Sequence, residues 1–202
     1  MAALLAPLAC LGLAAAASPQ CRCRPSEPCW PSRSAWAELN STVGGRLLGQ
    51  LASPIAACDV DAAGTQCAEA LAASQDPFWL QSQVMGTEKT GWLGAFDMRD
   101  KVSEFAVAAE STEDVAAAVG FAAKNNLRLA VKGTGHDYTG RSTANESLMV
   151  WTHNIAGIDF GSDFRPAGCP ASQAAEPHVV HIGAGERWVD VYTKGLEQPT
   201  PL

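Results

Sequence analysis

Residues 127–142, LRLAVKGTGHDYTGRS, gather the side chains best suited to chemistry. A short apolar run enters a turn holding Gly133 and Gly135, and His136 follows at once. Glycine reaches backbone angles closed to other residues. Successive N–H groups in such a turn form a concave anion site that suits a pyrophosphate. A glycine turn equally often only reverses the chain. His136 stands at the lip of the turn, and a neutral imidazole is a good nucleophile near neutral pH. Asp137 beside it either orients the ring or is a solvated turn residue. Lys132 either gives point charge to a phosphate or is a surface lysine at a strand end.

The flanks supply elements able to hold this turn. Residues 105–109, FAVAA, read as a strand. Ser111 is placed to cap a helix whose first turn carries Glu113 and Asp114. Val115, Val119, Ala122 and Ala123 recur at helical spacing until Asn125-Asn126 ends the segment. Residues 127–131 form the strand that delivers the turn, and residues 147–151, SLMVW, form another. This strand–helix–strand–turn order is what a phosphate-binding α/β layer needs. Farther on, a strand over residues 179–182 ends in IGAG, with Gly183 and Gly185. Trp188, Val191, Tyr192 and Leu196 then follow at helical spacing. His153, His178 and His181 show no metal-ligand spacing and read as structural histidines, so no metal is expected.

Three ordered blocks carry a family resemblance: STEDVAAAVGFAAKNNLRLAVKGTGHDYTGRST, SLMVWTHNI and HIGAGERWVDVY. The chain resembles the FAD-binding domain (PCMH type) of the vanillyl-alcohol-oxidase class of flavoproteins. Within that class it is similar to the fungal berberine-bridge-enzyme-like, or isoamyl-alcohol-oxidase-like, group. The resemblance implies an α+β fold. A first α/β subdomain and an incomplete second one would occupy residues 98–202, preceded by a disulfide-rich region over residues 18–97. It also implies that the loop binds the FAD pyrophosphate and that His136 is joined covalently to the flavin 8α carbon. Lys132, Gly133, Thr134, Gly135, Asp137, Tyr138, Gly140 and Ser142 would line the cofactor path, with Gly183 and Gly185 as a second contact. Trp151 and Thr152 lie in the WTH block and either touch flavin or serve the core. Related sequences commonly carry Asn where this chain has Gly133. The implied function is flavin-dependent oxidation of a small alcohol, sugar or secondary metabolite with oxygen as acceptor. The catalytic base and any second, cysteinyl flavin tether are expected beyond Leu202, in a longer polypeptide of which this is the N-terminal part. The alternative is a non-catalytic secreted fragment, at most a weak flavin binder.

Residues 1–17 are an Ala- and Leu-rich run ending in small residues, as in a signal peptide cleaved near Ala17-Ser18. The run is interrupted by Pro7 and is too short to span a bilayer. Secretion and no membrane association after cleavage are expected. Without Cys10, the remaining cysteines are Cys21, Cys23, Cys29, Cys58, Cys67 and Cys169. An even set in a secreted chain reads as disulfides rather than a zinc cluster, with Cys58–Cys67 locally plausible. Asn40 and Asn145 head glycosylation sequons. The net charge of −7 provides no basic stripe for nucleic acid. Residues 34–48 and 64–74 have modest helical character. Trp30, Trp36, Phe78, Trp79 and Trp92 are expected to anchor loops onto a core.

Overall fold

The computed structural model describes residues 21–87, 102–137, 140–161, 164–172, 174–175 and 178–198. The expected signal peptide, Trp92, the domain boundary at residue 98 and Tyr138 lie outside them.

The elements that position the turn form one four-stranded sheet with order β1-β2-β4-β3. The strands are β1 (Leu47–Gly49), β2 (Phe105–Ala108), β3 (Arg128–Lys132) and β4 (Ser147–Trp151). β2 and β3 both run parallel to β4, while β1 pairs antiparallel with β2 at the edge. Val150 lies opposite both Val107 and Val131, and Lys132 lies opposite Trp151.

Alternation along the strands splits the core into two faces. On one face Val107, Leu148 and Val150 pack under α1 (Arg33–Thr42) and α5 (Thr112–Lys124), through Trp36, Leu39, Val43, Ala118 and Ala122. On the other face Ala106, Ala108, Met149 and Trp151 meet Met85, with Leu48, Leu51, Val84 and Val102 around them. A strand covered on both sides reads as a continuous apolar run, which is why SLMVW is buried throughout.

Ser111 caps α5 as its sequence predicts, its hydroxyl accepting the Asp114 N–H at 3.2 Å. The expected stripe holds in part: Val115 and Ala122 pack into the core with Asp114 and Ala118, whereas Val119 is 41% exposed and Ala123 lies outside. The cause is Arg46, whose guanidinium grips Asp114 at 2.7 and 2.9 Å through Nη2, while the Glu110 N–H adds a third donor at 3.0 Å. Anchored there, the helix turns its small residues to the sheet.

The expected helix over residues 34–48 ends early. α1 stops at Thr42, Gly44 and Gly45 reverse the chain at φ +62° and +85°, and Leu47–Gly49 become the edge strand. Short helices α2 (Ala57–Val60), α3 (Thr65–Ala73) and α4 (Pro77–Ser82) follow. Trp36 stacks on Phe105 with centroids 4.1 Å apart and touches Phe121 and Trp30. Much of the segment before residue 98 therefore shares the core of the segment after it.

Disulfides join Cys23 to Cys29 and Cys58 to Cys67, the second as expected. Cys21 and Cys169 are unpaired, which corrects the fully bonded set. Cys23 is taken by its neighbour six residues on. Cys21 rests against Asn126, while Cys169 lies between β5 (Ile158–Gly161) and β6 (Val179–Ile182). β5 and β6 form a separate antiparallel pair, followed by α6 (Trp188–Leu196). Of the residues at helical spacing there, only Val191 is buried; Trp188, Tyr192 and Leu196 are exposed. No helix among the described residues is long and apolar enough to cross a membrane.

Candidate functional site

The C-terminal end of β3 leads straight into the glycine turn. Gly135 has φ +81°, in the region favouring glycine. A Cβ there would lie 2.7 Å from Lys132 Cε and 2.8 Å from the Gly86 carbonyl oxygen. A Cβ on Gly133 would lie 3.1 Å from the Ala184 carbonyl oxygen, so the turn and the IGAG loop are neighbours.

His136 is exposed at the lip, its backbone N–H donating to Thr134 Oγ1 at 3.4 Å. The Asp137 carboxylate accepts the Arg141 backbone N–H and pairs with the Arg141 guanidinium at 3.0 Å. With Gly140 at φ +70° donating its N–H to the Asp137 carbonyl at 3.3 Å, this staples the loop beyond His136. Thr134 and Ser142 are half-buried in the same loop.

Lys132 is not a surface lysine. It is 1% exposed, and its ammonium donates to the carbonyls of Gln83 at 2.6 Å and Gln81 at 3.4 Å, above the Trp151 ring at 5.3 Å. Burial lowers its pKa to about 7. The surface-lysine alternative is thus corrected: Lys132 is buried and bound to backbone carbonyls.

Gly183 and Gly185 also differ from expectation. Their N–H groups donate to the carbonyls of Gly157 at 2.8 Å and Ile155 at 2.9 Å, so these donors are used within the fold. A Cβ on either would overlap backbone, the Ile155 carbonyl for Gly183 and the His153 carbonyl for Gly185. Glycine is required here for close packing. Thr152 completes the joint: its N–H donates to the Lys132 carbonyl at 2.7 Å, and its hydroxyl lies 3.3 Å from the Ala184 carbonyl.

His153, read from sequence as structural, lies against this joint and stacks on Trp151 with centroids 5.2 Å apart and planes 6° apart. Burial, then the charges of Lys132 and Arg187, push its pKa down, so the imidazole is neutral near pH 7. Its Nδ1 and the Trp151 Nε1 are buried without a hydrogen-bond partner among the described residues. Buried polar atoms are normally satisfied. Two orphans beside a glycine cradle fit a polar ligand that approaches the backbone closely. The only sequence signal for His153 was its place in the WTH block.

Residues 103–195 match the family described as FAD binding domain. The FAD-linked oxidoreductase asqF of Emericella nidulans is 32% identical, over 89% of this chain and 34% of its own length. The FAD-linked oxidoreductase easE of Claviceps fusiformis is 33% identical, over 96% of this chain and 37% of its own. The crystal structure of the VAO-type flavoprotein MtVAO713 from Myceliophthora thermophila superposes with a TM-score of 0.72 at 29% identity, covering 89% of this chain and 34% of that one. A second such flavoprotein from that organism, MtVAO615, gives 0.64 at 24% identity, over 88% of this chain and 34% of its own, a likeness of fold. The chain spans about a third of the length of the curated relatives it matches.

Proposed function

Because residues 103–195 match the FAD binding domain family and the chain shares the VAO-type flavoprotein fold, we propose that it supplies the FAD-holding part of a flavin-dependent oxidoreductase. The observation that carries the proposal is the placing of His136, an exposed residue, directly after a cradle built by Gly133 and Gly135. Backbone N–H groups of the turn would receive the pyrophosphate, since nests of this kind favour anions. His136 would tether the flavin through a ring nitrogen to its 8α carbon. Asp137 fixes the loop behind that histidine through Arg141. The neutral His153 and the Trp151 indole offer further polar contacts at the turn's base. Bound FAD supplies hydride acceptance at its N5 and return of the electrons to oxygen. The substrate proposed is a small alcohol, sugar or secondary metabolite.

The test is anaerobic addition of a panel of primary alcohols and sugars to the purified full polypeptide. At least one should bleach the flavin absorbance, and air should restore it while oxygen is consumed. A polypeptide that purifies without flavin and takes none up would overturn the proposal.

Secretion belongs to the same proposal. The Cys23–Cys29 and Cys58–Cys67 bonds favour an oxidising compartment. Asn145 is exposed on the turn before β4, while Asn40 is half-buried at the end of α1, where its Oδ1 accepts the Leu47 N–H at 3.0 Å. Expression in a fungal secretory host should give medium protein whose mass falls on endoglycosidase treatment, and Asn145→Gln should remove part of that shift. Protein retained in cells with its first residues intact would count against export.

A further inference from the structure

Lys132 is the one buried lysine among the described residues, and no carboxylate among them pairs with it. A buried cation without a counter-charge is costly, so its surroundings should show what it does. Its Nζ is fastened to the carbonyls of Gln83 and Gln81. Its Cε passes so close beneath Gly135 that a Cβ there would come within 2.7 Å of it. The same hypothetical Cβ would come within 2.8 Å of the Gly86 carbonyl oxygen and 3.4 Å of Thr87 Cα. The lysine therefore threads between the glycine turn and residues 81–87, and binds the latter through their backbone.

We propose that Lys132 is the positioning residue of the cofactor cradle, tying residues 81–87 beneath Gly135 and lending positive potential from below to an anion held in the turn. This rests on the FAD proposal above. Position within the fold makes the potential count, because a charge in low-dielectric surroundings acts over a short path with little screening. The groups facing the ammonium from each side are the carbonyls of residues 81 and 83, the Trp151 ring, and beyond that ring the neutral His153, itself near Glu186 and Arg187. With its pKa near 7, Lys132 is largely neutral at pH 8, and an arriving diphosphate would draw a proton onto it.

The test compares the full polypeptide with its Lys132→Met and Lys132→Arg variants, prepared without flavin and titrated with FAD at pH 8 in buffers of different ionisation enthalpy. Wild type should take up close to one proton per FAD. Lys132→Arg, charged at every pH, should bind within about threefold of wild type with no uptake. Lys132→Met should bind about tenfold more weakly, again with no uptake. Wild-type affinity and uptake in Lys132→Met would overturn the inference. Hydrogen exchange of residues 81–87 without flavin gives an independent reading: it should quicken in Lys132→Met and be restored in Lys132→Arg. Unchanged exchange in Lys132→Met overturns the clamp whatever flavin does, whereas failure of wild type to bind FAD overturns the FAD proposal instead.

Discussion

At Gly135, backbone angle and space act together. A left-handed φ costs an L residue roughly 1–2 kcal/mol, and a methyl group there also presses on Lys132 and the Gly86 carbonyl. Gly135→Ala should therefore destabilise by about 2 kcal/mol or more and lower the melting temperature by several degrees; an unchanged melting curve would show that the turn yields freely. Lys132 gives a prediction with a definite sign. Its pKa is about 7 in the fold against about 10.4 when unfolded. Between those values the unfolded chain holds more protons, so stability rises as pH climbs from about 7 to about 10.4. Denaturant titrations across that window should show the rise in wild type and a flatter profile in Lys132→Met. The presence of Lys132 at the turn was legible from sequence; its burial was not, because only the return of residues 81–87 over the sheet covers it.

For the elements, local signals succeeded where local physics decides and failed where a distant partner does. Ser111 capped α5, and β4 and β6 formed over the residues expected, because capping and apolar runs act over a few positions. The face of α5 was read correctly at Val115 and Ala122 but not at Val119 and Ala123, because Arg46 lies 68 residues from the Asp114 it holds. Burial by itself would raise the Asp114 pKa, but the Arg46 guanidinium, the Glu110 N–H and the Ser111 hydroxyl outweigh it and bring it below the usual carboxylate value. The stabilisation is thus present above about pH 4 and is lost as pH falls through the lowered value. Asp114→Ala should cost on the order of 2 kcal/mol in urea unfolding at pH 7 and weaken the acid limb of the stability profile. A variant with wild-type midpoints at pH 7 and along the acid limb would contradict the role given to this pair. The edge strand β1 was read as helix because LLG offers no pattern distinguishable from the end of α1. Its pairing with β2 and the reversal at Gly44-Gly45 settle the matter.

On the scale of the whole molecule, the helix that carries Trp36 packs onto the core of the segment after residue 102. Trp36, Leu39 and Val43 cover Val107, Leu148 and Val150, so Trp36→Ala should cost about 3–5 kcal/mol. A polypeptide beginning at residue 98 should be aggregation-prone, whereas one beginning at residue 21 should stay monomeric in gel filtration. Equal solubility of the two would refute a shared core. The scattered tryptophans pointed to anchoring on a core, but that Trp36 would meet the Phe105 ring is set only by the fold. The site itself is assembled at this scale: the turn after β3, the WTH segment after β4 and the IGAG loop after β6 meet through Thr152, Gly133 and Ala184. Each loop was visible in the sequence, and only the fold brings them into contact. The central claim, a flavin held over the Gly133–Gly135 bend and bonded to His136, is tested most directly by acid-precipitating the full polypeptide, digesting it and weighing the peptide that contains His136. The account predicts that this peptide carries the flavin and that His136→Ala releases all colour to the supernatant; an unmodified His136 peptide from a wild-type preparation that arrived yellow would contradict it.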